Sequence, residues 1–597
     1  MKYSIKDFLE VKSAWNPSFS ADGERLTYLS NVTGISQIYL ISRTGGEPIQ
    51  LTDSEDPISF ATFSPTENVI IFGKSEGGNE QNQLYLINPD TKEIISLTTN
   101  KNARHDIGFW SRDGKFISYS STERNGKDFD IYVMNIKTKE KECVYQEGGW
   151  CNAGPFSPNR TYLSIKKNHS NMNSDTYLYD FHTKKIDHLT PHTEPMLQGT
   201  PRWLPDESAF FITTDQDREF MGLTKYSLDK KEFEYVFTPD WNIDEISIQK
   251  DAKFLAITIN EDGYNKIIIK NPYSLEDIIY DLPKGEIFDI SFSKDARFMT
   301  FTLGDSTRTR DVWVLDMESK KYSQLTYSPQ GVPSEIMVDP ELIRYKSFDG
   351  LIVPVFIYKP KDSRNKKLPT VISIHGGPES QYQPGYGPIT QYLVNNGYVV
   401  VAPNIRGSSG YGKTYLTLDD VEKRMDSLKD IVALREHLKT IPEIDTDKLI
   451  LMGGSYGGFM VLAGLAFYPD LWAAGIDTVG IANWITFLEN TASYRRALRE
   501  AEYGSLEKDK EFLKSVSPIN YVEKIKAPLF IIHGANDPRV PLSEAEQMAS
   551  KLKELGRIVE MVVYLDEGHG LFKLKNRLDA YPKVVDFLNK HLWTWEK

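Results

Sequence analysis

The stretch Leu449-Ile450-Leu451-Met452-Gly453-Gly454-Ser455-Tyr456-Gly457-Gly458 decides how the second half of the chain folds: an apolar run stops at a serine fenced by glycines, and a new apolar run begins. It reads as strand, tight turn, helix. The pattern is Gly-x-Ser-x-Gly, and a serine in a strained turn at a strand's end needs neighbours without Cβ atoms so that the following helix can pack closely. Such a turn pushes the Ser455 hydroxyl into the open. The helix starting near Tyr456 aims unpaired N–H groups and a partial positive charge at any oxyanion formed there. A glycine-rich turn with an incidental serine is the bland reading, and the surrounding sequence separates the two.

Around this turn, strands alternate with helical patterns. Thr370-Val371-Ile372-Ser373-Ile374 and Tyr398-Val399-Val400-Val401-Ala402 are apolar runs of buried parallel strands, and 419–438 has helical periodicity. Strands are also expected at 448–452, 473–479, 529–532 and 559–564, with helices at 544–555 and 580–591. Ahead of them, 341–358 reads as a hairpin with an Asp349-Gly350 turn. This is an α/β domain with a mostly parallel sheet, in which active residues belong on loops at the carboxyl ends of strands.

Those loops carry the partners that an acylating serine needs. A serine hydroxyl is a poor nucleophile near neutrality, so it requires a base, an acid to orient the base, and an oxyanion site. Asp537 follows the strand ending at Ile532, and His569 follows the strand ending at Tyr564, between two glycines. The order Ser, Asp, His is that of an α/β-hydrolase. Asp566 is the near rival of Asp537; His533 reads as structural, and His591 lies in the last helix. One oxyanion donor is expected to be the N–H of Tyr456. The other is expected from His375-Gly376-Gly377-Pro378, with Gly377 favoured and Gly376 as alternative.

The first half is a repeat. The phrase Phe19-Ser20-Ala21-Asp22-Gly23 returns with its second position at Ser64, Ser111, Ser157, Leu204, Gln249 and Ser293. Each copy continues with strands such as Gln37-Ile38-Tyr39-Leu40-Ile41 and Asp130-Ile131-Tyr132-Val133-Met134. Short alternating runs between Asp-Gly and Pro-Asp turns specify antiparallel hairpins, and this spacing with about four strands per unit is that of a propeller. The expectation is an N-terminal seven-bladed β-propeller plus a C-terminal α/β-hydrolase domain, divided as 1–14 (N-terminal segment), 15–330 (propeller) and 331–597 (hydrolase). His169, His182, His188 and His192 crowd into the fourth blade. In an extended segment, His188 and His192 would lie about 13 Å apart, so solvent-facing histidines are expected there, and no metal site.

The 597 residues exceed what one hydrophobic core usually supports, and the 40% hydrophobic, 26% charged composition is that of a globular protein. A formal charge of −13 argues against a nucleic-acid or anionic-membrane binder. Cys143 and Cys151 are the only cysteines. No disulfide framework is implied, and neither a signal peptide nor an eighteen-residue apolar run is seen, so a cytoplasmic setting without membrane is expected.

The set His375-Gly376-Gly377-Pro378, Asn404-Ile405-Arg406-Gly407-Ser408-Ser409-Gly410-Tyr411-Gly412, Gly453-Gly454-Ser455-Tyr456-Gly457-Gly458, Asn536-Asp537-Pro538-Arg539-Val540-Pro541 and Glu567-Gly568-His569-Gly570 resembles the prolyl oligopeptidase family of serine peptidases. The His-Gly-Gly-Pro version is most similar to its acylaminoacyl-peptidase branch. The resemblance implies a propeller that caps the active site and admits short peptides but not folded proteins. It also implies that Arg539 holds a substrate carbonyl, that Tyr456, Ile481 and Trp484 line the pocket for the residue before the scissile bond, and that 5–11 forms a helix on the hydrolase domain. A salt bridge for Arg539, and core packing for Ile481 and Trp484, are the structural alternatives. No Glu-Glu pair like that of the dipeptidyl-peptidase branch is seen in the propeller.

The reading is a serine peptidase acting on short or N-acylated peptides without metal or organic cofactor. An esterase with the same triad, and a propeller scaffold with a retired hydrolase domain, are the competing functions. The sequence leaves open whether the protein is a monomer or a homo-oligomer.

Overall fold

The computed structural model describes residues 3–364 and 366–592. Seven antiparallel sheets follow one another from Ala14 to Gln324, six of four strands and one, at 242–270, of three. Their turns use the repeated phrase as a local clamp: Ser20, Ser111 and Ser293 each donate to the aspartate two residues on, at 2.5, 2.6 and 2.6 Å. These Asp-containing turns are fixed by side-chain bonds to their own backbone neighbourhood, which leaves the strands free to pair.

The first strands of five blades line the propeller axis. Ser18, Thr62, Gly108, Ser247 and Ser291 border a channel of about 500 Å³ there. In six blades the pairing of the first two strands slips by a bulge, as between Trp15 and Ser18 or Phe288 and Ser291. Such a bulge increases the local twist of a strand.

The ring closes without sharing a strand between sheets. Ala14 N–H donates to Arg310 O at 2.9 Å, and Asn16 N–H to Asp289 Oδ2 at 2.9 Å. Phe19, Leu26 and Tyr28 of the first blade pack with Val312 and Val314 of the seventh. Closure therefore rests on buried apolar surface and a few bonds. Closing the ring covers the broad faces of every sheet, the remedy that propellers use for exposed strands.

In the fourth blade the chain turns after Ile186–His188, and this overturns the expected separation of the histidines. His169 Nε2, His188 Nε2 and His192 Nδ1 lie 2.8, 2.8 and 3.2 Å from the carboxylate of Asp175. The 13 Å spacing held only for a straight strand. His182 lies outside this cluster, its backbone N–H on Asp180.

The second half is an eight-stranded sheet in the order Glu341–Lys346, Ile352–Tyr358, Val399–Pro403, Leu368–Ile374, Ile444–Gly454, Ala474–Thr478, Leu529–Gly534, Val559–Tyr564. The first two neighbouring pairs are antiparallel and the other five parallel. Alternate residues of one strand feed opposite cores: Val399 and Val401 pack with helices Arg424–Leu438 and Tyr456–Phe467, and Val400 and Ala402 with helix Leu574–Leu592. The helix Tyr456–Phe467 is apolar on all sides, as one buried under a sheet must be.

The first helix, Ile5–Leu9, belongs spatially to this half. Phe8 is fully buried against Val332 and Met337, with Tyr392 edge-on at 5.8 Å. The connection from propeller to hydrolase runs through Ser334–Ile336. Residues 1–2 and 593–597 of the expected domains lie outside the described residues. No helix among the described residues is long and apolar enough to cross a membrane.

Phe301, fully buried among Met299, Leu303 and Leu315, tests how far the ring depends on such packing. Phe301→Ala is expected to cost about 3–5 kcal/mol, read as a lower urea midpoint for the propeller's unfolding. A midpoint unchanged from the parent protein would contradict this account of closure.

Candidate active site

Ser455 sits where the strand Ile444–Gly454 meets the helix Tyr456–Phe467, with φ 57° and ψ −117°. A non-glycine residue rarely adopts such a backbone, so it persists only where its surroundings enforce it. They do so here. Ser455 N–H donates to Thr478 O at 2.9 Å, and Ser455 O accepts from Phe459 N at 3.0 Å. A Cβ at position 457 would overlap Ile374 O, and one at 458 would overlap Asp477 and Gly480. Those are the glycines of the motif, and their function is to let the helix touch the sheet.

Asp537 and His569 meet on neighbouring loops. Asp537 Oδ2 is 2.7 Å from His569 Nδ1, while its Oδ1 accepts the backbone N–H groups of Arg539 and Val540 at 2.8 and 3.0 Å. The carboxylate is fully buried, so two amides and one imidazole fix its orientation. Asp566 is elsewhere engaged, by Lys573 and Lys575 at 3.2 and 2.8 Å, and these bonds hold its carboxyl well below the usual range. His533 is buried with Nε2 on Val540 O at 2.9 Å. His591 lies in the last helix.

Ser455 and His569 line one cavity of about 450 Å³. No hydrogen bond joins their side chains; catalytic bonds of this kind commonly tighten only when substrate is seated. The loop at Gly376 covers the serine so closely that a Cβ there would stand 3.3 Å from Ser455 Cβ. Gly377, at φ +128°, takes a conformation suited to glycine, and its carbonyl accepts the Tyr503 hydroxyl at 2.7 Å. His375 braces the loop between Gly376 O and Ser408 Oγ, at 2.8 and 2.9 Å, and burial lowers its pKa.

The cavity wall differs in part from expectation. Ile481 and Arg539 line it. Trp484 does not: it is 1% exposed, with its ring 4.4 Å from Tyr503 and 4.7 Å from Phe459. The Tyr456 side chain is likewise turned inward, with its hydroxyl on Ser427 Oγ at 2.7 Å and Asp419 Oδ2 at 3.0 Å. The physical reason is an unanticipated helix, Ser493–Tyr503, whose Tyr503 occupies the wall in front of both. Phe487, Tyr503 and Val540 supply the apolar surface instead. Phe487, one turn beyond Trp484, was the signal available in the sequence. Arg539 meets its structural alternative as well, with Nε on Glu80 of the propeller at 2.5 Å.

The comparisons add ancestry to this geometry. The profile of the prolyl oligopeptidase family matches residues 385–594, and that of the dipeptidyl peptidase IV N-terminal region matches 6–111. An uncharacterized peptidase, YuxL, of Bacillus subtilis (strain 168) is 25% identical across 97% of this chain and 90% of its own. Residues 385–594 are a peptidase domain of the prolyl oligopeptidase family. The chain is a serine peptidase built from a propeller and an α/β-hydrolase domain. Dipeptidyl aminopeptidase BIII of Pseudoxanthomonas mexicana is 37% identical over 35% of this chain and 31% of its own. The acylaminoacyl peptidase structure of Pyrococcus horikoshii superposes with a TM-score of 0.76 at 19% identity, covering 99% of this chain and 98% of that one.

In this chain the propeller reaches the histidine loop directly. Gly78, at φ +80°, is so close that a Cβ would overlap the Gly568 backbone, and a Cβ on Gly568 would overlap Gly78. Asn536 Nδ2 donates to Gly77 O at 2.8 Å, and Lys573 pairs with Asp56 at 3.1 Å. Gly78→Ala is therefore expected to displace His569. A shift of about 1 Å costs on the order of 100-fold in turnover, measured on a small chromogenic peptide. Turnover within about twofold of the parent would show that this contact does not position the histidine.

Proposed function

We propose that the protein hydrolyses short or N-acylated peptides through an acyl-enzyme on Ser455. The observation that carries this is the single cavity shared by the strained Ser455, the Asp537-supported His569 and the Gly376–Gly377 loop. In this reading, Ser455 Oγ attacks the scissile carbonyl carbon while His569 Nε2 takes the hydroxyl proton. Asp537 fixes the tautomer and stabilises the imidazolium. The oxyanion is held by the N–H groups of Tyr456 and Gly377, worth about 10²- to 10³-fold each in turnover. The C–N bond then breaks as His569 returns the proton to the leaving amine, and water repeats the sequence on the acyl group. Arg539 holds a substrate carbonyl beside Ile481.

The propeller limits what reaches this chemistry. Its loop at Gly77–Gly78 lies on the histidine loop, and Asn171 of the fourth blade lines the cavity. Short peptides are the substrates in this account, and the setting is cytoplasmic. The branch with His-Gly-Gly-Pro motifs favours N-acylated peptides over free amino termini.

Ser455→Ala, His569→Ala and the double variant are expected to lose nearly the same turnover, because members of a triad act as one unit. Losses that multiply would contradict their partnership. Comparing an acetyl-amino-acid anilide with a matched nitrophenyl ester decides the bond type. Selective turnover of the ester, with no anilide or peptide cleavage, would replace the peptidase reading with an esterase.

A further inference from the structure

The helix Ser493–Tyr503 sets two arginines one turn apart, Arg495 and Arg499, on the wall of the Ser455 cavity. Both also border a second chamber, of about 320 Å³, that opens against the fourth blade of the propeller. With Asn171 they form the neck between the two spaces. A peptide reaching from Ser455 toward the propeller passes these side chains.

The charge of Arg495 is poorly answered by the protein. Arg539 is held by Glu80, which it shares with Arg104. Arg499 is partly answered, by the Tyr503 hydroxyl at 3.3 Å and by Glu379 at 3.5 Å. Glu379 is itself raised by burial and by the neighbouring Glu502, which weakens it as a counter-charge. Arg495 has no side-chain hydrogen bond or ion pair among the described residues, and its Nε is shut from solvent without an acceptor. In the second chamber, Lys166 Nζ donates only to the carbonyl of Gln198, at 2.5 Å. Burial lowers Lys166 to about 8; burial, with Arg539 and Arg499 nearby, lowers Arg495 to about 10. Both shifts are in the direction expected of cations that lack a partner.

A half-buried guanidinium without an acceptor is costly, and a carboxylate is the group whose two oxygens match its fork. We propose that Arg495, with Arg499 beside it, forms a subsite for a carboxylate of the peptide substrate at the neck between the chambers. The site then prefers acidic peptides to neutral ones of the same length. The proposal rests on the reading of the Ser455 cavity as a peptide site. The carboxylate has two sources, an acidic side chain or the substrate's own C-terminus.

Calorimetric binding to a Ser455→Ala protein tests this without relying on turnover, so its outcome is separate from whether Ser455 is the nucleophile. The probes are short N-acetylated peptides in which each position in turn is Glu or Gln, each made as C-terminal acid and as amide. The expected result is that one Glu position, or the free C-terminus, binds about 10- to 100-fold tighter than its neutral counterpart. A preference confined to the Glu position identifies the side chain, and one confined to the acid terminus identifies the C-terminus. Arg495→Gln should collapse that ratio toward one, and Arg495→Lys should keep part of it. If Arg495→Gln does not fold, the probe series on the Ser455→Ala protein and the Lys variant still decide. Equal binding of every acidic and neutral pair, absence of peptide binding, or a ratio that survives Arg495→Gln would overturn the proposal.

Discussion

Two glycines from different domains, Gly78 and Gly568, lie in backbone contact, and the rest of the site is arranged around that closeness. Neither position has room for a Cβ. The contact ties the second blade of the propeller to the loop that carries His569. Bonds on either side extend it, from Asn536 to Gly77 O, from Arg539 to Glu80 and from Lys573 to Asp56. A histidine on an exposed loop is ordinarily mobile, because few buried contacts hold it. Here the first half of the chain supplies those contacts, so the propeller positions His569 as well as covering the cavity.

The hydrolase half contributes rigidity of a different kind. The φ of Ser455 is held by the close approach of the helix Tyr456–Phe467 to the sheet, which in turn needs Gly457 and Gly458. Behind the wall, Glu544 accepts the backbone N–H groups of Ala482 and Asn483 at 3.1 and 2.8 Å and so fixes the segment bearing Ile481. Burial raises that carboxyl to about 7. The glycine contacts and the buried polar bonds thus hold the cavity from residues other than Ser455 and His569.

Much of this was legible because local chemistry repeats. The Ser-x-Asp turns announce the first, third and seventh blades, since the serine and aspartate bond to one another within three residues. The serine turn is written in glycines for a steric reason that sequence alone expresses. What escaped depends on distant parts of the chain. Gly78 and Glu80 look like ordinary loop residues until the hydrolase domain is folded against them. Helix Ser493–Tyr503 carries few apolar residues, and nothing in its own sequence shows that Tyr503 displaces Trp484 and Tyr456 from the cavity. His188 and His192 were misplaced because a turn, not a straight strand, separates them.

The central claim is that the fold activates one hydroxyl, that of Ser455, through His569. A fluorophosphonate probe followed by peptide mapping tests it most directly. The account predicts a single labelled residue, Ser455, in the native protein, and loss of labelling after unfolding or in His569→Ala. Labelling that is absent from the native protein, falls on another residue, or persists undiminished without His569 would contradict it.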